Sequence, residues 1–363
     1  MSRSNEVQRR LDRWMGSALL RILAALRGRR TRPFHPHKIG FLEPTAIGDL
    51  ILDTGLLAQA RAAFPSAELH LFHGPSNAGL LPLLPVDLVA HACDFSKPRT
   101  ALNKIRAVQP DLLVDCTNWP RLTAVLSALS GAYTIGFETP GQQRHFAYDR
   151  KVHHSLARHE RDNRAALAAA LTGAIQPYEP ALGVPESALP DLPYDRLILS
   201  HISPGGSRAR EKSWPPARWA ELSRRLAADG FVIGFTGTAQ DRQAIESVLL
   251  QAALPRTQAV SLAGRLDLAQ TARLMTLSRL LITVDTATVH LGSALGVPMI
   301  ALHGPSASWR WGATSANAVS IDAPHAQAGF IHFGYEQSPD AMEIMPTITV
   351  ETVYGEAIRK LKS

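Results

Sequence analysis

Residues 281–306 read LITVDTATVHLGSALGVPMIALHGPS, and the reading of this stretch decides the fold. The apolar run before Asp285 has the length of a buried strand. The small-residue segment after it suits a short helix, and a second apolar run opens on Pro298. Two such runs joined by a helical crossover make a parallel pair, because antiparallel neighbours need only a tight turn. Where the first strand ends stand Asp285, Thr286, Thr288 and His290, all polar and directly after a buried-looking run.

The same alternation extends in both directions. Upstream, RLILSHISP, FVIGFTG and AVSLAG read as strands, separated by the helical segments PARWAELSRRLAADG, DRQAIESVLLQAA and LAQTARLMTLS. Nearer the N-terminus, HKIGFLEP, AELHLFHG, DLVAHACDF, PDLLVDCT and AYTIGFE are strands, with helices in GDLILDTGLLAQARAAFP and RLTAVLSALSG. The class is therefore α/β, with parallel sheets and crossover helices. From about Thr139 the regularity weakens into a His- and Arg-rich segment and an Ala-rich helix, then the Pro-rich QPYEPALGVPESALPDLPYD.

The expected organisation is a helical extension over 1–37, a Rossmann-like domain over 38–178 and a linker over 179–195. A second Rossmann-like domain follows over 196–347, then a C-terminal helix within 348–363. Two such domains create a cleft, and open α/β sheets bind ligands at the carboxyl ends of their strands.

Charge separates the extension from the body. Residues 1–38 hold nine Arg and Lys38 against Glu6 and Asp12, a surplus of eight, so a net charge of +7 leaves the remainder at −1. The body is thus not marked as a nucleic-acid binder. In the extension, Val7, Leu11, Trp14, Ala18, Ile22 and Ala25 share one helical face, widened by Met15, Leu19 and Leu26. Arg9, Arg10, Arg13, Arg21 and Arg27 take the other, with Leu20 breaking the pattern. This apolar run is shorter than the ~20 residues of a membrane span. It best fits a helix over residues 5–30 lying on an anionic membrane surface, the protein being peripheral on the cytoplasmic face. A helix packed on the body, or one binding a partner, is the other reading. Cys93 and Cys116 are too few for a disulfide framework.

Three constellations carry chemistry. In VDTATVHLGSALG, free N–H groups near Thr286 and the positive end of the helix dipole form an anion site, with Thr286 and Thr288 adding hydroxyls. The plainer alternative has Asp285 capping the helix and His290 buried in the core. In HISPGGSRAREKSWP, a strand runs into a Gly-rich loop suited to phosphate, and Lys212 follows as a mobile charge; the alternative is an ordinary turn. In EPTAIGDLILDTG, Asp49 at a helix entry is placed either as a general base or as a cap.

Together these segments resemble the heptosyltransferase family, which includes the ADP-heptose:lipopolysaccharide heptosyltransferases. The likeness lies in IGDLILDTGLL, SPGGSRAREKSWP, LAGRLDLAQTARLMTLSRLLIT and DTATVHLGSALGVPMIALHGP, in that order, over roughly residues 38–360. It implies a GT-B architecture and an inverting glycosyl transfer with no cofactor; no metal is expected either, since a helix dipole and Lys212 can replace a divalent ion and no D-x-D element in a suitable context argues for one. The donor is a nucleotide sugar, ADP-heptose, and the acceptor a lipopolysaccharide-core or other lipid-linked glycan. Carried over by motif, Asp49 is the catalytic base. Ser207, Lys212, Thr286, Ala287 and His290 hold the diphosphate, Asp285 the donor sugar, and Asp241 and Leu266 the nucleoside.

Some positions depart from the family pattern. Glu43 stands where a basic residue is common, and an acid there would repel an anionic acceptor. Gly55 replaces a usual proline, and Ala287 a usual glycine. The basic residues Arg144, Lys151, Arg158 and Arg161 are candidates for meeting acceptor phosphates, or form a solvated surface. Rival classes are a sugar-nucleotide epimerase of the same fold and a non-catalytic nucleotide-binding protein. A dinucleotide oxidoreductase lacks its glycine fingerprint, since LEPTAIGD follows the first strand.

Overall fold

The computed structural model describes residues 16–28, 30–206, 208–332 and 336–362. The chain divides into two compact units between Gly183 and Val184.

The first unit is built on one parallel sheet with strands β1 (Lys38–Glu43), β2 (Glu68–His73), β3 (Val89–Ala92), β4 (Leu112–Asp115), β5 (Tyr133–Glu138) and β6 (Arg150–His153). Their spatial order is β3-β2-β1-β4-β5-β6, the Rossmann order. Strand β1 is buried over 39–43, as expected of a central strand covered on both faces. Its register sets Leu42 beside both Phe72 and Asp115. The helices are α1 (Ser17–Leu26), α2 (Ile47–Ala63), α3 (Pro98–Val108), α4 (Arg121–Leu129) and α5 (Glu160–Thr172).

The second unit repeats the plan with β7 (Leu197–His201), β8 (Val232–Thr236), β9 (Ala259–Ser261), β10 (Leu280–Val284), β11 (Met299–His303) and β12 (Ala318–Asp322). The order is β12-β11-β10-β7-β8-β9, again the Rossmann order counted from β7. Around this sheet lie α6 (Ala209–Lys212), α7 (Pro216–Ala228), α8 (Arg242–Ala252), α9 (Leu268–Leu277), α10 (Ala287–Ala294), α11 (Ser308–Trp311), α12 (Ala341–Ile344) and α13 (Val350–Lys362). The last helix is part of this unit's core: Val353 and Ala357 are buried in it, and the Trp214 indole donates to the Ile348 carbonyl.

Strands β6 and β12 are absent from the pattern read in the sequence. Both lie at sheet edges and are largely exposed or half-buried, so neither carries the apolar run that marks an inner strand.

Helix α1 packs on the first unit, but not by the face its sequence suggests. Leu20 is fully buried with Ala124, Val125, Ala147 and Tyr148, and Leu23 packs beside it. Ala18, Leu19, Ile22, Ala25 and Leu26 are exposed. Arg27, Arg30 and Arg32 turn inward. Arg27 pairs with Asp149 at 2.6 Å, Arg30 donates to the Ala132 carbonyl, and Arg32 donates to the carbonyls of Ala170 and Leu171. The rest of the expected amphipathic helix, including Val7, Leu11, Trp14 and Arg9 to Arg13, lies outside the described residues. No helix among the described residues is long and apolar enough to cross a membrane.

Candidate active site

In both sheets the strand order reverses beside the first strand, and that reversal opens a crevice at the strands' carboxyl ends. In the first unit the reversal lies between β1 and β4, and in the second between β7 and β10. The polar turns singled out in the sequence follow β1, β7 and β10.

After β10, Asp285 is 7% exposed, and α10 begins with Thr286 in extended conformation at its N-cap. Asp285 does not cap this helix. Its carboxylate pairs with Lys212 Nζ at 2.6 Å and accepts a hydrogen bond from Ser306 Oγ. Burial alone would raise its pKa. Burial is the largest single influence, but the charges of Lys212 and His303 and the hydrogen bonds from Lys212 and Ser306 together outweigh it and hold the carboxyl well below the usual range. Thr288 and His290 are buried on the first turns of α10, while Thr286 and Ala287 are partly exposed at its start.

The loop after β7 runs alongside. A side chain at Gly205 would come 3.8 Å from Thr286 Oγ1, so the glycine loop reaches the start of α10. Gly206 has φ +86°, a conformation that favours glycine. Ser207 lies outside the described residues. A buried carboxylate, a lysine and the N–H groups at a helix start can together hold a polar ligand with an anionic end.

Asp241 and Leu266 come from neighbouring turns. The Gly264 N–H donates to the Gly237 carbonyl at 2.9 Å, which docks the Leu266 loop on the turn that carries Asp241. One Asp241 oxygen accepts from the Thr238 N–H at 2.6 Å and from its hydroxyl at 2.8 Å, the capping role. Asp241 also lines a cavity of about 260 Å³ with Pro204, Arg210 and Trp214.

In the first unit, Asp49 lies in the first turn of α2 and is 8% exposed. Thr45 Oγ1 donates to Asp49 Oδ2 at 2.9 Å, and Arg164 of α5 stands 3.4 Å from Oδ1. Asp53, one turn along α2, is 2.8 Å from Arg164 Nε. Glu43, at the end of β1, is fully buried; it accepts from the Thr45 N–H at 2.7 Å and feels the charge of Asp53. Burial, then the charges of Asp53 and Asp49, push the Glu43 pKa well up. Glu43 is thus a buried, proton-holding group.

Residues 99–331 match the family model for glycosyltransferase family 9 (heptosyltransferase). The chain belongs to that family. It is 34% identical over 111 residues to lipopolysaccharide heptosyltransferase 2 of Salmonella typhimurium, a match covering 30% of this chain and 31% of the relative. The matched segment thus spans about a third of that relative's length. Among solved structures, that of E. coli ADP-heptose lps heptosyltransferase II superposes with a TM-score of 0.72 at 22% identity, covering 90% of this chain and 98% of that one. E. coli heptosyltransferase WaaC with ADP gives 0.67 at 17% identity, covering 89% and 99%. These likenesses establish the fold, two Rossmann-like halves of the GT-B class.

Within this family member, the basic segment after β5 does not form one anion-binding surface. Arg144 is fully buried and pairs with Asp115 at 2.8 Å, while also donating to the Tyr148 and Thr117 hydroxyls. It ties the end of β4 to the segment before β6 and is sealed from any acceptor. Lys151 pairs with Glu138 at 3.1 Å, and Arg161 with Asp162 at 3.2 Å and Glu179 at 3.3 Å, all near solvent; Arg158 is exposed.

Sequence reasoning missed five residues of these clusters: Ser306 and His303 beside Asp285, and Asp53, Arg164 and the buried state of Glu43 beside Asp49. Asp53 was findable, since four residues after Asp49 on a helix is the same face. Ser306 and His303 sit in the stretch quoted first. Arg164 left no local signal, because the sheet and α5 bring it to α2 from 115 residues away.

Gly55 has a physical reason. A side chain there would lie 2.9 Å from the Tyr178 ring, whose hydroxyl donates to the Leu52 carbonyl at 2.5 Å and accepts from the Leu56 N–H at 3.1 Å.

Proposed function

We propose that this chain is an inverting transferase that moves heptose from ADP-heptose onto a lipopolysaccharide-core or other lipid-linked glycan. The observation that carries the reading is the Lys212–Asp285 pair at the switch point of the second sheet, beside the glycine loop and the start of α10. Family membership and the relatives' printed names support the same donor.

The chemistry follows from charge. The acceptor oxygen attacks the anomeric carbon as the bond to the diphosphate breaks, and the electron pair leaves with the ADP. Positive charge develops on the sugar and negative charge on the leaving group. Lys212 and the N–H groups at Thr286 and Ala287 stabilise the latter, with Ser207 and His290 in the same diphosphate set. Asp285, ionised in its site, accepts hydrogen bonds from sugar hydroxyls. Asp49 takes the acceptor proton. Asp241 and Leu266, on adjoining turns, receive the nucleoside. A lysine and a helix start supply the charge that a divalent metal supplies elsewhere, so turnover survives chelation by EDTA.

The exposed stripe of Leu19, Ile22 and Leu26 supports peripheral attachment to the cytoplasmic membrane face, near the lipid-linked acceptor.

Thermal unfolding with ADP, UDP, GDP and CDP, each in excess, tests the donor. A ligand at ~100 times its Kd adds about 2.7 kcal/mol. Selective stabilisation by ADP is expected. A shift with UDP or GDP alone replaces the sugar nucleotide. No shift with any of them favours a non-catalytic protein, and product formed without acceptor favours an epimerase.

A further inference from the structure

Among the described residues, a dense group of buried charges surrounds Asp49, and its composition is unbalanced. From β1 comes Glu43, from α2 Asp49 and Asp53, and from α5 Glu160 and Arg164. Cys116, after β4, and Tyr178 also face it, and both resist ionisation: burial first, then the neighbouring acids, raises each pKa. Four carboxyl groups thus meet one guanidinium. Glu160 has a partner of its own in His154, at 3.0 Å. Arg164 is left to Asp53 and Asp49, at 2.8 and 3.4 Å, with its side chain 1% exposed.

A buried cation is costly unless paired, and a buried carboxylate likewise. The two acids on α2 therefore compete for one charge. Whichever of them is ionised draws on the guanidinium at the other's expense. Glu43, buried beside them and coupled by charge to both Asp53 and Asp49, biases the contest, and the Thr45 hydroxyl reaches Asp49 as well as Glu43.

We propose that Arg164 and Asp53 are positioning residues for Asp49: the shared guanidinium fixes the Asp49 carboxylate at the end of β1, and the protonation of Asp53 sets how much of that charge Asp49 receives. This rests on the reading of Asp49 as base. The consequence is a coupling between two carboxyls of one helix, and coupling is reciprocal. Asp53 reports on it directly, because its own pKa is pushed up to about 7, by burial above all, against the pull of Arg164.

The test has two arms. In the first, protein carrying carbon-13 carboxyl labels is titrated by NMR as the native chain, as D49N and as R164K. Native Asp53 is expected to titrate near pH 7. In D49N the competitor is gone, so the Asp53 midpoint drops by about one pH unit, a tenfold change in proton affinity. An unmoved midpoint overturns the inference, and this arm needs no substrate.

In the second arm, turnover is measured with ADP-heptose and a de-acylated lipopolysaccharide-core acceptor. R164Q is expected to lower kcat at least tenfold with donor KM unchanged. R164K, which keeps the charge without the fork, recovers part of that loss. Equal falls in the folded fraction and the apparent kcat, with no recovery by R164K, indicate a merely structural arginine and overturn the proposal. Should R164Q not fold, D49N and R164K carry the test, since neither removes the cation. Retained turnover in D49N removes the base reading itself, and the inference with it. Lost turnover in D49N with an unmoved Asp53 removes the inference alone.

Discussion

The Lys212 ammonium and the Asp285 carboxylate stand 2.6 Å apart, although 73 residues separate them in the chain. The loop after β7 and the turn after β10 are neighbours because β7 and β10 pair in the sheet, Thr283 beside His201. The pair therefore preorganises the second unit's switch point before any ligand arrives. On the proposed function, an incoming diphosphate would draw on a lysine already fixed in direction.

Replacing Lys212 with Met leaves Asp285 buried without its cation. Melting temperature is expected to fall at neutral pH, and kcat/KM to drop ~10²–10³-fold, the usual loss for one electrostatic stabiliser. The sign with pH is fixed by the lowered pKa of Asp285. An unfolded aspartate takes up its proton near pH 3.9, before the folded one does. The pairing therefore stabilises above about pH 4 and is lost progressively below it. The melting gap between native and K212M should narrow on acidification; a gap constant from pH 7 to pH 3 contradicts the pairing.

Asp53 carries the opposite sign. Its folded pKa of about 7 exceeds the unfolded value, so the folded state holds an extra proton between about pH 4 and 7. That contribution favours folding at acid pH and disappears as pH rises through 7. D53N removes it, so native protein should lose more melting temperature than D53N between pH 5 and 8. Parallel curves would falsify the assignment.

Helix α1 has two separable faces. Leu20→Ala empties a filled site and is expected to cost about 2–4 kcal/mol, read as faster proteolysis of the N-terminal segment. Replacing Leu19, Ile22 and Leu26 together with Ser leaves melting unchanged. The same triple variant should sediment less with vesicles containing anionic phosphatidylglycerol. Undiminished sedimentation excludes the stripe as a lipid contact.

At Gly55, alanine forces a methyl against the Tyr178 ring and the Glu179 carbonyl. A loss of about 1–3 kcal/mol in urea unfolding is expected. Arg144→Met should act on stability too, by about 3–5 kcal/mol, because Asp115 is left buried and unpaired. Its acceptor KM should stay at the native value, and a raised KM at low salt would show that Arg144 reaches the acceptor after all.

Much of this protein is written locally. Alternating apolar runs and amphipathic segments determine two parallel α/β halves, and the turns after β1, β7 and β10 announce themselves by polar residues behind buried strands. Short-range physics suffices there, because a central strand is apolar on both faces and a strand end is the nearest place a polar side chain meets a ligand. Edge strands β6 and β12 escape that logic, since one exposed side removes the apolar requirement. So does the docking face of α1. Its sequence offers two apolar stripes, and the surface formed by α4 with Ala147 and Tyr148 selects Leu20 and Leu23 over Leu19 and Ile22. The charges were decided by tertiary structure most of all. In one dimension Glu43 and Arg144 read as residues that meet the acceptor or solvent, and Arg164 carries no signal. Burial beside Asp53, Asp115 and Asp49 makes them proton-holding, structural and positioning groups, because the energy of a charge depends on what surrounds it rather than on its place in the chain.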